Sequence, residues 1–166
     1  MREAHVLRQS KSGLVGLVLA VAMAAGMAVG VAQAADEAKN VIAYRQNVMK
    51  GIAAHITQIA MVAKGEVSFA GHMAANARAM ADAAKTIPEL FPKGTSLDEV
   101  PDDTAAKAEI WKDWDKFTAA AKNLEAQATK LAEIAGGGDV AAIGAQLGEV
   151  GKACGSCHEP FRKMKQ

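Results

Sequence analysis

The stretch VAAIGAQLGEVGKACGSCHEPFR, Val140 to Arg162, decides how the chain is read. Val140, Ile143, Leu147 and Val150 recur in it in steps of three and four, the rhythm of one helical face. The same stripe runs on through Cys154, Cys157, His158 and Phe161. Residues three and four apart on a helix share a surface. Both thiols and the imidazole are therefore expected on one face, pointing inward. Cys154 and Cys157 are the chain's two cysteines, so all its thiol chemistry is concentrated here.

Cys-x-x-Cys-His is the attachment sequence for c-type haem. Two vinyl groups on neighbouring pyrrole rings need two thiols about one helical turn apart. The iron ligand must rise from the same turn, and His158 follows Cys157 directly. Three other readings compete. A thioredoxin-like pair belongs at a helix N-terminus, where the dipole lowers one thiol pKa, whereas this pair lies far along its helix with no strand before it. A zinc site needs four ligands, and only His55 or His72 is left to complete the set. A disulfide between residues one turn apart is a poor staple. Haem attachment is the expectation.

Three more helical stretches precede this one. The first runs from about Asp36 to Lys64, with its stripe at Val41, Val48, Met49, Ile52, Ile56, Ile59, Ala60 and Ala63, and ends at Gly65. The second runs from about Val67 to Thr86 and carries Phe69, Met73, Ala77, Met80 and Ala84. IPELFPKGTSLDEVPDDT, Ile87 to Thr104, reads as a loop because of its three prolines and its Gly, Asp and Ser residues. Leu90, Phe91 and Leu97 are expected to dock it on the core. Asp102, Asp103 or Thr104 is expected to cap the third helix, which carries Ile110, Trp111, Trp114, Phe117, Ala121, Leu124, Ala128, Leu131 and Ala135. Lys112, Asp113 and Lys116 form its wet face. Gly136 to Gly138 stop it, and Asp139 caps the fourth. The fold class expected is all-α: an antiparallel up-down-up-down four-helix bundle with covalently bound haem.

The first 34 residues read differently. Arg2, Arg8 and Lys11 form a basic start, Gly13 to Ala32 carry no charge, and AQA, Ala32 to Ala34, offers small residues for a signal peptidase. Residues 1–34 are expected to be a cleaved secretory signal, and residues 35–166 one bundle domain. A membrane anchor is the rival, since about 20 apolar residues span a bilayer, but this stretch is rich in Ala and Gly. The segment has a net charge of +2 and the whole chain +1, which leaves the mature part near −1. No basic face for nucleic acid remains, and no membrane contact is expected after cleavage. Export to an oxidising compartment, the periplasm, is expected.

A four-helix bundle with Cys-x-x-Cys-His near its C-terminus resembles the class II c-type cytochromes, the cytochrome c′ and cytochrome c-556 family. VIAYRQNVMKGIAAH is similar to their first helix, LFPKGTS to their long loop, KAEIWKDWDKF to their third helix and GKACGSCHEPFR to their haem segment. The resemblance implies one haem c, covalent through Cys154 and Cys157, with His158 as a ligand to its iron. It draws the residue opposite His158 from the first helix, where an Arg precedes the haem-facing side chain by four residues. Here that pair is Arg45 and Met49. Met49 lies on the buried stripe with Arg45 one turn before it. The guanidinium would pair with a haem propionate, with Gln46 assisting, and Arg162 would tune the proximal imidazole.

Met49 admits two roles. As a bound thioether it makes the iron six-coordinate, and the protein shuttles electrons between redox partner proteins. As a packing residue it leaves the iron five-coordinate and open to NO or CO. The AKGE turn, Ala63 to Glu66, is more similar to the first branch, and one-electron transfer with iron ligated by His158 and Met49 is the expectation. Met61, Met73 and Met80 are expected in the core, Met164 at a frayed end and His55 in solvent. His72 is an alternative ligand. Trp111 and Trp114 are expected to fill the core, with Trp111 against the haem edge. No nucleophile–base pair is visible, so no enzyme is expected. A homodimer is among the partners the resemblance allows.

Overall fold

The computed structural model describes the backbone of residues 13–164 and the side chains of residues 37–164. The chain divides into two units between Glu37 and Ala38. The side chains of the expected signal, residues 1–34, lie outside the described residues. The unit from Ala38 onward is a bundle of helices, and no strand is present among the described residues. Its elements are the later part of α1 (Gly13–Ala63), α2 (Met73–Thr86), the single turn α3 (Glu109–Lys112), α4 (Trp114–Gly137) and α5 (Val140–Phe161). Helix α2 packs on α4, and α4 on α5.

The core is written as alternating steps of three and four. Ile42, Arg45, Ile52 and Ile59 are buried on α1, with half-buried Met49 and Ile56 completing the pattern. Phe117, Ala121, Leu124, Ala128, Leu131 and Ala135 do the same on α4. That period is the seam of coiled-coil packing. Alanine fills many of these positions, including Ala77, Ala81 and Ala84 of α2, which lets the backbones approach closely. Gln146 is the one polar side chain buried along α5, and it donates through Nε2 to the carbonyl (3.1 Å) and side-chain oxygen (2.8 Å) of Gln127 on α4.

The stops follow local chemistry. Beyond α1, Gly65 takes φ 74°. Its N–H bonds the Val62 carbonyl while the Glu66 N–H reaches Met61, the Schellman pattern of a glycine-terminated helix. Gly138 closes α4 at φ 77°. Asp139 caps α5 as expected, with its Oδ1 accepting from the N–H groups of Ala141 (3.0 Å) and Ala142 (3.1 Å).

Several boundaries differ from the expected ones. The second helix begins at Met73, with only a 3₁₀ turn over Ala70–His72 before it. Phe69, expected on its buried stripe, is 57% exposed and stacks on His72, so no core contact fixes this stretch as helix. The third helix does not start at Thr104. Residues 105–107 are extended, because the Lys107 N–H bonds the Phe161 carbonyl and the Lys163 N–H bonds that of Ala105. Backbone groups committed to the end of α5 cannot also close helical turns. A second break at Asp113 (φ −114°, ψ 48°) separates α3 from α4. Trp114, Met61 and Val140, expected in the core, are exposed at the margins of their helices.

The loop does dock. Ile87 is buried, and Phe91 meets Phe117 edge-on at 4.8 Å. Phe161 also meets Phe117 edge-on at 5.5 Å. Phe117 thus joins the loop, α4 and the end of α5. Replacing Phe117 by Ala should cost about 3–5 kcal/mol, whereas Asp139→Ala should cost about 1 kcal/mol through its lost cap. Urea denaturation of the two variants beside the parent chain measures both values, and equal losses would contradict Phe117's place at the centre of this cluster.

Candidate haem site

Cys154, Cys157 and His158 lie together on one side of α5, as the helical spacing requires. They are half-buried, and Cys154 and Cys157 pack against the core. The innermost positions of this helix are Ile143, Val150, Ala153 and Phe161. Cys154 and His158 follow Ala153 and Cys157 by one residue each, which rotates them to the flank of the seam. Leu147 shares that flank, and Val48, Met49 and Ile56 are half-buried on α1 against the same core. The core thus has an apolar border carrying two thiols, an imidazole and a thioether.

The electrostatics of these groups select among the sequence readings. Both cysteines are free. Burial pushes the Cys154 thiol up, and burial together with its neighbour Cys154 pushes Cys157 up to about 11. A redox dithiol needs a stabilised thiolate, and these sulfurs stay protonated at neutral pH. Burial, and next the positive charge of Arg162, lower the proton affinity of His158. Its imidazole is neutral at pH 7, the form with a lone pair free for a metal. The zinc reading lacks its remaining ligands. His55 bonds the Asn76 side-chain oxygen at 2.8 Å and is half-buried, contrary to its expected exposure. His72 is exposed against Phe69, and no group of three or more metal-binding side chains occurs among the described residues. Free thiols one turn apart, an adjacent neutral imidazole and an apolar border fit a covalently attached haem.

Arg45 is 3% exposed, and its guanidinium is engaged by the loop. Nη1 donates to Thr95 Oγ1 at 2.8 Å, and Nη2 donates to the Thr95 carbonyl at 2.7 Å and to Thr104 Oγ1. The Phe91 ring lies 4.6 Å from its carbon centre. Burial lowers its pKa to about 10, so it stays charged. Gln46 is exposed and donates to the Asp103 carbonyl at 2.7 Å. Arg162 is exposed at the end of α5. Trp111 is half-buried and donates from Nε1 to the Phe91 carbonyl at 3.0 Å. Thr95, Thr104 and Phe91 are the partners that sequence reading missed as a group. The loop's KGTS turn was its only trace, and nothing local tied that turn to α1.

A helical bundle with a haem-attachment sequence on its last helix defines a class II c-type cytochrome. The profile described as Cytochrome C' matches residues 40–162, and the chain belongs to that family. It is 37% identical to cytochrome c′ of Rhodospirillum rubrum over 88% of this chain and 97% of the relative. It is 35% identical to cytochrome c-554 of Cereibacter sphaeroides over 80% of this chain and 86% of that one. Among solved structures, the nitric oxide complex of a mutant cytochrome c prime from Alcaligenes xylosoxidans superposes with a TM-score of 0.66. It is 27% identical and covers 77% of this chain and 97% of its own. The fold is thus the four-helix bundle of this family, and the cofactor is one covalent haem c, with Cys154 and Cys157 as its attachment thiols. A variant with both cysteines replaced by serine should lose its haem to acid–acetone extraction, while either single variant keeps it through one thioether. Mass spectrometry of the extracted polypeptides reads the difference, and haem retained by the double variant would contradict the attachment.

Proposed function

We propose that the chain is an exported monohaem cytochrome whose iron is five-coordinate and takes up NO or CO at an open distal position. This is the alternative role of Met49 set out above, and it displaces electron transfer by a six-coordinate centre as the leading reading. The observation that carries it is a match to cytochrome c′ over nearly its whole length, together with a family structure solved as a nitric oxide complex. Bound haem supplies a redox-active iron and room for one diatomic ligand.

The chain's own residues do the rest. Cys154 and Cys157 hold the group covalently, and His158 offers a neutral imidazole from the same turn. Burial, and after it the charge of Arg162 exposed one turn on, lower the proton affinity of that imidazole. Met49 packs against the core from α1, and in this reading its side chain would line the open position without ligating the iron. Arg45, with Gln46, orders the turn that carries Met49. The second reading, in which the Met49 sulfur ligates iron and the protein passes electrons to redox partner proteins, draws on Met49's half-buried place on the same border. Neither reading requires the chain to be an enzyme.

Residues 1–34 act as a secretory signal that is removed, leaving residues 35–166 in the periplasm. Among the described residues no helix is long and apolar enough to cross a membrane. A homodimer through exposed helical faces is part of the same reading.

Visible spectroscopy separates the two roles of Met49. The oxidised parent protein should be high-spin, and the reduced protein should bind CO rapidly. Met49→Ala should leave the spin state unchanged and speed CO uptake by about tenfold, equivalent to about 1.4 kcal/mol off the barrier. A low-spin parent converted to high-spin by that substitution would make Met49 the ligand and overturn the open-site reading.

A further inference from the structure

We propose that residues 95–107 are a strap that holds the Arg45–Met49 turn of α1 in register with the His158–Arg162 end of α5, with Arg45 as its latch. The strap is bonded at both ends. On the α1 side, Arg45 makes its three hydrogen bonds to Thr95 and Thr104, and Gln46 holds the Asp103 carbonyl. On the α5 side, the Lys107 N–H donates to the Phe161 carbonyl at 3.0 Å and the Lys163 N–H to the Ala105 carbonyl at 2.8 Å. Ala106 thereby pairs with Arg162 as an antiparallel bridge, and Lys107 Nζ reaches the Glu159 carbonyl at 3.1 Å.

Between these ends the strap has little slack. The Leu97 N–H donates to the Ala106 carbonyl at 2.7 Å, which closes the segment on itself. Glu99 Oε2 accepts from the Ser96 hydroxyl (2.6 Å) and N–H (3.1 Å), and these bonds hold its carboxyl below the usual range. Thr104 Oγ1 takes an Arg45 N–H and also accepts from the Ala106 N–H at 3.1 Å. The route from Arg45 to the bridge at Arg162 therefore passes through two residues. Arg162 lies one turn beyond His158, and its N–H bonds the His158 carbonyl at 2.9 Å. Arg45 lies one turn before Met49.

The latch needs an arginine. Its planar fork spans two hydroxyls and a carbonyl at once, whereas a lysine ammonium is a point charge on a flexible stem. Breaking the grip would leave a buried cation short of partners, a heavily penalised state. The consequence at the iron, a fixed gap between the Met49 side and the His158 side, rests on the function proposed above. The strap itself does not. Arg45 is a positioning residue in this scheme, acting through the loop.

The test uses the full haem-loaded chain and two changes that reach the latch from opposite sides: Arg45→Lys, and Thr95→Val combined with Thr104→Val. Site-resolved amide exchange by NMR and CO uptake by the reduced protein are the readouts. Both variants should speed exchange at the Lys107 and Lys163 amides by roughly tenfold or more, the size of one charge-assisted hydrogen bond, and should shift the CO rate in the same direction. Unchanged exchange at those two amides in both variants would overturn the strap. A CO rate altered by Arg45→Lys but not by the threonine pair would overturn the latch, since Arg45 would then act directly on the haem. Were the polypeptide to carry no haem, the functional reading would fail, and the exchange data would still decide the strap.

Discussion

A guanidinium held at 3% exposure constrains much of this molecule. An isolated charge out of water is prohibitively costly, and such groups persist only with good hydrogen-bond partners. The helix that carries Arg45 spends its own backbone groups internally, so the partners must come from elsewhere. They come from Thr95 and Thr104 of the long loop, with the Phe91 ring against the cation. Satisfying this one side chain therefore fixes a loop that composition alone would leave free. The loop in turn borrows backbone bonds from the end of α5, which is why the third helix begins later than its apolar pattern suggests. Among the described residues no buried side-chain nitrogen or oxygen lacks a partner.

The haem-attachment residues obey a second constraint, the geometry of the helix. Cys154, Cys157 and His158 must share a turn to serve one flat group, and they do. They must also border the core instead of filling it, because a group as large as a porphyrin has to reach them. The two cysteines and Leu147 on α5, like Val48, Met49 and Ile56 on α1, are half-buried against the core and meet that need. The same partial burial keeps the thiols protonated and the imidazole neutral.

In the proposed function, the balance between gas binding and electron transfer turns on one thioether. Met49 packs on the core from the same helix that Arg45 anchors. Whether a side chain there serves as ligand or as wall depends on displacements smaller than its own length. A strap that sets the gap between two helices is a physical means of holding such a choice. The resemblance to cytochrome c′ proteins weighs toward the wall.

Most of the fold was legible in the chain itself. The three–four spacing of apolar residues, Gly65, Gly138 and Asp139 specified four helices and most of their stops, because these signals act within a turn of where they are written. Cys154, Cys157 and His158 were legible for the same reason. The fate of Arg45, the extended run at residues 105–107, the break at Asp113 and the outward turn of Phe69, Trp114 and Val140 were not. Each depends on a partner distant in sequence, or on a contact that the helix periodicity permits but does not require. Local spacing determined which surfaces each helix could offer, and only the assembled bundle decided which of them were covered.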